Sequence, residues 1–341
     1  MKILVTGGLG FIGSHTVVDL QQKGFEVVIV DDCSNASEEV LDGIFAITGK
    51  SLIFEKLDLR EKELVEDLFD RHSDIKGIIH FAASKAVGES VENPLLYYEN
   101  NLNSLIYLLK WISKSGGAFI FSSSCTVYGQ ADKMPIVEDS PVQPAESPYG
   151  NTKKMGEEIV RDTCAVTPQL KAISLRYFNP IGAHTSTEIG ELPTGVPQNL
   201  VPFITQTAMG IRDELSVFGN DYPTRDGTCI RDYIHVVDLA SAHVVALERI
   251  LNNEQQQNYE IFNLGTGKGS TVLEVIQSFE RVSGTKLNYK IVDRRSGDIT
   301  EAYADTDKAN KVLGWKAASS LDDAMKSAWD WEQKLRNIDN N

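Results

Sequence analysis

Along the first half of the chain, apolar residues fall into short, nearly unbroken β-branched runs separated by stretches with helical spacing. The runs predict strands at Lys2–Thr6, Glu26–Asp31, Leu52–Lys56, Gly77–Phe81, Ala118–Ser122 and Lys171–Tyr177. Between most of them lie segments such as Ile12–Lys23 and Glu61–Arg71, with apolar positions three and four apart. Strands with so little polar alternation are covered on both faces, and strand–helix alternation builds a doubly wound parallel sheet. The predicted class is therefore α/β.

After Tyr177 the pattern changes. Asn179–Gly195 is rich in Gly, Pro, Thr and Ser and reads as loop. Asn199–Met209 reads as helix, Ile234–Leu251 is helical in character, and Tyr259–Leu264 has the look of another buried strand. Residues 1–178 are thus expected to form the sheet domain, with 234–265 returning to it. Residues 179–233 and 266–341 are expected to form a smaller mixed α/β lobe. Pro94–Ser113 carries apolar residues on more than one helical face, among them Leu95, Leu96, Leu102, Leu105, Ile106 and Trp111. A helix apolar nearly all round is covered nearly all round. We read one face as packed on the sheet and the other on a second subunit, giving a homodimer through helices around 94–113 and 149–165. A central helix of a large monomer is the alternative.

Composition changes this picture little. The chain has 341 residues, enough for two domains, or for one large domain with an added lobe. Lys and Arg total 33 against 48 Asp and Glu, a formal charge of −15. Such a surface repels phosphate backbones, which argues against nucleic acid as partner, so any anionic ligand needs a local cluster of donors. The four cysteines, Cys33, Cys125, Cys164 and Cys229, form no C-x-x-C pair and no zinc spacing. No metal is expected, and few cysteines fit a reducing compartment. No apolar stretch approaches the ~18 residues of a membrane span, and the first apolar run, Ile3–Val5, is too short for a signal peptide. A soluble, cytoplasmic protein is expected.

The first strand runs into Gly7-x-x-Gly10-x-x-Gly13 and then into a helix. Glycines there let the backbone approach a pyrophosphate whose charge sits at the helix N-terminus, as in Rossmann-type dinucleotide sites. The second strand ends at Asp31-Asp32. A carboxylate at that point bonds the adenosine ribose and repels a 2′-phosphate, which favours NAD over NADP.

Ser122-Ser123-Ser124 follows an apolar strand, and Tyr149-Gly-Asn-Thr-Lys153 opens a helix that puts Tyr and Lys on one face. A free Tyr, with its pKa near ~10, is a poor base at neutral pH. A neighbouring ammonium and a cationic nicotinamide both favour phenolate, and a shift of three units needs about 4 kcal/mol of differential interaction. Tyr149 can then remove a hydroxyl proton while hydride leaves for NAD.

Thr6-Gly-Gly-x-Gly-Phe11-Ile12-Gly13, the serine run and Tyr-x-x-x-Lys together resemble the extended short-chain dehydrogenase/reductase family. His80-Phe81-Ala82-Ala83-x-Lys85-Ala86-Val87-Gly88-Glu89-Ser90, Arg176-Tyr177-Phe178-Asn179-Pro180, Phe218-Gly219-Asn220-Asp221-Tyr222 and Arg231-Asp232-Tyr233-Ile234-His235 narrow the resemblance to its UDP-glucose 4-epimerase branch. The match runs from residue 2 to at least 330. It implies an isomerase that holds NAD tightly and interconverts UDP-glucose and UDP-galactose through a transient 4-keto sugar. In this scheme Tyr149 is the base, Ser124 bridges the sugar hydroxyl and Tyr149, and Lys153 holds the ribose and tunes Tyr149. Cofactor contacts are implied for Gly7, Gly10, Phe11, Ile12, Gly13, Asp31, Asp32, Asn35, Asp58, Leu59, Phe81, Ala82, Ala83, Lys85, Asn100, Tyr149, Lys153, Tyr177 and Phe178. Related dehydratases carry Asp-Glu after the Ser/Thr, and decarboxylases keep a Glu. This chain has Cys125-Thr126, neither of which is a strong acid or base for elimination. Cys125 stands where Ala is expected more often. It reads as a buried, inert thiol, with a reactive one the alternative.

For the UDP moiety the resemblance implies Phe218 stacking near the uracil, with backbone contacts at Ser216 and Val217. A base–aromatic stack contributes ~1–3 kcal/mol. Arg231 and Arg295 hold the phosphates, Asn179, Asn199 and Leu200 line the phosphate and sugar side, and Asp298 takes a ribose hydroxyl. In the family, the residue seven after the Arg of Arg-x-Gly-Asp walls the pocket beside the sugar C2 group. A Tyr there excludes N-acetyl sugars, and a small residue admits them. Here that position is Ala302, next to Tyr303, so UDP-GlcNAc and UDP-GalNAc are expected substrates too. Two other readings stay open: a UDP-pentose or uronic acid 4-epimerase on the same scaffold, and a non-catalytic NAD-binding regulator. The presence of Ser124, Tyr149 and Lys153 together argues against the regulator.

Overall fold

The computed structural model describes residues 1–295 and 298–338. Ser296 and Gly297, the middle of the Arg295–Asp298 motif, lie outside the described residues. In chain order the strands are β1 (Lys2–Thr6), β2 (Glu26–Asp31), β3 (Ile53–Lys56), β4 (Ile75–His80), β5 (Gly117–Ser124) and β6 (Leu170–Tyr177). They continue with β7 (Asn179–Ile181), β8 (Leu215–Phe218), β9 (Ile230–His235), β10 (Tyr259–Leu264), β11 (Gly269–Thr271), β12 (Tyr289–Val292) and β13 (Glu301–Ala302).

Seven of these strands form one parallel sheet in the order β10-β6-β5-β4-β1-β2-β3. Their apolar runs are explained by two covering layers. Ile3, Val5, Ile29, Ala118 and Ile120 face one core with residues of the helices Phe11–Gln22 and Val236–Leu251. Leu4, Val28, Val30, Phe119 and Phe121 face the other, with residues of Lys62–Arg71, Pro94–Ser115 and Pro148–Val166. The strand order reverses between β1 and β4, so a crevice opens beyond the C-terminal end of β1, where open α/β sheets bind ligands.

The second lobe is built round β9. Its first half is flanked by β11 and β13, and its second half by β7. β8 pairs with β12, and the helices Leu200–Ala208, Val272–Ser283 and Leu321–Ile338 close a separate core on Ile204, Val217, Tyr233, Phe279 and Met325.

Two local expectations need correction. Asn179–Gly195 is not all loop: Asn179–Ile181 pairs with β9, and Ala183 bridges Gly190. Ile234 and His235 end a strand, and the helix begins at Val236. In both places a neighbouring strand supplies backbone partners that local composition does not reveal. In the helix Pro94–Ser115, Tyr97, Leu105, Leu108, Leu109 and Ile112 are buried, whereas Leu95 is 80% exposed and Leu96 is also exposed. No described helix is long and apolar enough to cross a membrane.

Candidate functional site

The glycine turn sits at the end of β1. Gly7 adopts a left-handed backbone (φ +67°), and a Cβ there would lie 2.8 Å from the Ala82 nitrogen. A Cβ on Gly13 would lie 2.1 Å from the Gly7 carbonyl oxygen, so the helix starts directly against the turn. Its N-cap is Gly10, with no side-chain cap and no acidic residue in the first turn. The helix end with its partial positive charge is therefore left for an external anion. Asp31, at the end of β2, accepts from Leu9 N at 3.1 Å and Cys33 N at 3.0 Å, and burial raises its pKa. Asp32 is exposed and bonds Ser34. This donor set and glycine surface fit a dinucleotide, and the two carboxylates disfavour a 2′-phosphate.

The other predicted cofactor residues have the following surroundings. Phe11 and Ile12 open the helix. Phe81 and Ala82 donate their backbone N–H groups to Thr6 O, with Ala83 and Lys85 just beyond. Asn100 donates to Ser84 Oγ at 2.8 Å. Asp58 is chelated by Arg60 and Leu59 is buried. Asn35 accepts from Thr194 of the second lobe at 2.6 Å. Tyr177 ends β6 and Phe178 follows it, with the Tyr177 hydroxyl 2.5 Å from Ser122 Oγ.

Ser124 ends β5. Ser147 caps the helix Pro148–Val166 by accepting from Gly150 N, and Pro148 follows in its first turn, which sets Tyr149 beside the strand end. Ser124 hydrogen-bonds Tyr149, and Lys153 donates from Nζ to the Ser122 carbonyl at 2.7 Å. The ammonium lies 5.9 Å from the Tyr149 ring centroid. The sequence argument for a lowered Tyr149 pKa does not hold for the protein alone. Burial, reinforced by Tyr177, pushes the phenol well above its ordinary value, and the Ser124 hydrogen bond only partly opposes this. Burial pulls Lys153 down to about 8. Cys125 is also driven up to about 12 by burial, which makes it an inert thiol.

On the second lobe, Ser216, Val217 and Phe218 lie on β8, with the Val217 side chain in the core. Arg231, on β9, donates to Asp298 Oδ1 at 2.5 Å, and Arg295 lies 3.7 Å from Asp298 Oδ2. Asp298 thus neutralises the two arginines expected to hold phosphates, and its Oδ2 is buried without a hydrogen-bond partner. The Arg295 guanidinium covers the Phe218 ring at 4.6 Å, the face expected to take a base. Asn179 is on β7. Leu200 begins a helix, and Asn199 donates to Glu191 Oε1 at 2.5 Å. Ala302 is buried and packs in a cluster with Val127, Phe178 and Cys125. Tyr303 turns the other way, against the backbone of Gly269.

Sequence reasoning passed over several groups. His80 meets Thr6 Oγ1 at 2.8 Å, and burial pushes it down to about 3. The Glu191 carboxyl, between Lys85 and Asn199, is raised by burial. Glu157 and Arg176 form a buried ion pair behind the serine run. Glu157 stands four residues after Lys153, and Arg176 opens a block already noted, so the spacing that picked out Tyr149 and Lys153 could have included Glu157.

The chain matches the family model described as GDP-mannose 4,6 dehydratase over residues 4–328. A UDP-glucose 4-epimerase of Bacillus subtilis (strain 168) is 50% identical over 333 residues, covering 97% of each chain. A Pisum sativum protein described as bifunctional UDP-glucose 4-epimerase and UDP-xylose 4-epimerase 1 is 49% identical over 335 residues, covering 97% of this chain and 95% of its own. The crystal structure of UDP-glucose 4-epimerase from Stenotrophomonas maltophila, with bound NAD and formylated UDP-arabinopyranose, has a TM-score of 0.95 at 45% identity and covers 99% of each chain. With the fold above and with relatives of this similarity, the chain belongs to the UDP-glucose 4-epimerases of the extended short-chain dehydrogenase/reductase family.

Proposed function

We propose that this chain interconverts UDP-glucose and UDP-galactose by reversible epimerisation at C4, with NAD tightly bound. The observation that carries the reading is the convergence of Ser124, Tyr149 and Lys153 on the crevice beside a glycine turn that tolerates no Cβ. Gly7, Gly10 and Gly13 would cradle the pyrophosphate, Asp31 would bond the adenosine ribose, and Lys153 would hold the other ribose. Bound NAD supplies a reversible hydride store, so that C4 passes through a ketone, and a positive charge near the phenol.

Tyr149 would take the C4 hydroxyl proton and return it to the C4 oxygen when hydride comes back to the other face of the carbon. Its pKa is raised in the protein alone, so the phenol stays protonated until a second cation joins Lys153. The base is thus armed only in the loaded enzyme. Ser124, already bonded to the phenol, relays the proton between substrate hydroxyl and Tyr149. On the substrate side, a diphosphate would take over from Asp298 on Arg231 and Arg295, which frees Asp298 for a ribose hydroxyl. It would also release Arg295 from the Phe218 face for uracil.

Ala302 is a small residue at the position that the resemblance places beside the sugar C2 group, and on that ground UDP-GlcNAc and UDP-GalNAc are proposed substrates as well. A UDP-pentose reading is favoured by two relatives, one described as a UDP-xylose 4-epimerase and one holding formylated UDP-arabinopyranose. We further propose a homodimer through the helices Pro94–Ser115 and Pro148–Val166, the first of which exposes Leu95 and Leu96, in a reducing cytoplasm. The test is proton NMR of the purified protein with UDP-glucose, UDP-GlcNAc and UDP-xylose in separate tubes. UDP-galactose and UDP-GalNAc are expected. UDP-galactose without UDP-GalNAc refutes the inference from Ala302, and neither product even with added NAD refutes the assignment.

A further inference from the structure

Only Ser124 of the serine run enters the reading above, yet its two neighbours have partners of their own. On the helix Pro148–Val166, Tyr149, Lys153 and Glu157 stand four apart along one face. Three consecutive serines of β5 meet them. Ser124 hydrogen-bonds Tyr149, the Ser122 carbonyl accepts from Lys153, and Ser123 Oγ donates to Glu157 Oε1 at 2.5 Å. The helix lies close on the strand at this point: a Cβ on Gly156 would sit 2.5 Å from Phe121 Cζ. The Glu157 carboxylate is also gripped by Arg176, from Nε to Oε1 at 2.8 Å and from Nη2 to Oε2 at 2.6 Å. Arg176 in turn donates to the Tyr128 phenol at 2.8 Å and the Glu138 carbonyl at 3.2 Å.

The titratable groups around Lys153 sort by charge. His80, on β4, stays neutral because burial pushes it down to about 3. Tyr177, on β6, stays a phenol because burial pushes it up to about 12, and Tyr149 is raised for the same reason. Glu157 is the group that raises Lys153, against the burial that lowers it.

We propose that Glu157 is a positioning residue of the epimerase site, acting through Lys153 to keep an ammonium beside Tyr149 and through Ser123 and Arg176 to hold the catalytic helix in register on β5. This rests on the reading of Tyr149 and Lys153 given above. Glu157 touches no reacting atom. Its role is to supply the anion that lets a buried lysine remain charged where a phenolate must form.

The test is the pH profile of kcat for the NAD-loaded enzyme converting UDP-glucose, with NAD content measured on the same samples. Wild type loses activity on the alkaline side as Lys153 gives up its proton. In Glu157→Gln that limb moves down by about one pH unit, so kcat at pH 8 falls about fivefold. Because this change strands Arg176, the double variant E157Q/R176M removes both buried charges and moves the limb in the same direction by a smaller amount, in a fold with no uncompensated ion. Ser123→Ala loses the register contact but keeps the anion, so its limb stays where wild type has it. An active wild type whose E157Q and E157Q/R176M forms keep its alkaline limb overturns the proposal alone. A limb that moves equally in Ser123→Ala also overturns it. A wild type that forms no UDP-galactose overturns the functional reading and this proposal with it.

Discussion

Gly13→Ala tests the cradle with a single methyl group. The added Cβ would lie 2.1 Å from Gly7 O, 2.9 Å from Gly8 Cα and 3.0 Å from Gly7 C. Ordinary carbon–oxygen contacts begin near ~3.5 Å, so the turn and the helix must separate by about an ångström. All three atoms are backbone, and Gly7 is held by its N–H to Val30 O at 2.7 Å and its carbonyl to Gly10 N at 3.1 Å. No flexible side chain can give way. Overpacking of this kind costs about 1–3 kcal/mol. The displaced turn is also the proposed pyrophosphate seat, so the same energy appears as roughly a 5- to 150-fold weaker grip on NAD. Gly88→Ala is the control, since nothing lies within 4 Å of its Cβ and its backbone is helical. Isothermal titration of NAD into stripped protein, with thermal melts of both variants, measures each effect. A Gly13→Ala protein that binds NAD within twofold of wild type and melts at the same temperature would refute the steric reasoning.

Tyr149→Phe keeps the fold and the bound cofactor but lowers kcat by about 10²–10⁴, read by NMR of product formation. Ala302→Tyr fills the space beside Phe178 and Cys125, so turnover of UDP-GlcNAc is lost while UDP-glucose is still converted. Equal loss of both would show that the position does not discriminate at C2. Arg249→Met leaves Glu260 buried without its two hydrogen bonds of 2.8 and 3.1 Å, and also removes the bond to Val312 O. The expected destabilisation is about 3–5 kcal/mol in urea titration, and a change below 1 kcal/mol would contradict it. His15, His80 and His243 are pushed down by burial to about 3, 3 and 4, against about 6.5 unfolded. Their contribution is complete above pH 6.5 and is lost as pH falls towards the folded values, about 2 kcal/mol each by pH 5. NMR titration showing any of the three protonated in the folded protein at pH 5.5 would refute that assignment.

The sheet was largely legible because buried parallel strands leave long β-branched runs, and because Gly7, Gly10 and Gly13 punctuate the first strand and helix. The second lobe was less so. β7 is three residues long, and β13 is two. Such strands exist by pairing with β9 rather than by local propensity, so Asn179–Ile181 reads as loop until its partner is known. Tyr149 and Lys153 stood out by spacing. Their protonation did not, because burial governs both and no spacing rule reports burial. Ser123 and Glu157 were in plain view but belong to a contact between strand and helix that only the fold creates. The same holds for Asp298 seated between Arg231 and Arg295.

The central claim is that C4 is inverted by a hydride that never leaves the site, while Tyr149 handles only the hydroxyl proton. It is tested most directly by running the conversion of UDP-glucose in D2O with no added cofactor and examining the UDP-galactose by proton NMR and mass spectrometry. The account predicts a full-intensity C4 proton and no mass increase at carbon. Deuterium at C4 would mean that the carbon-bound hydrogen exchanges with solvent, which a retained hydride forbids, and would contradict the account.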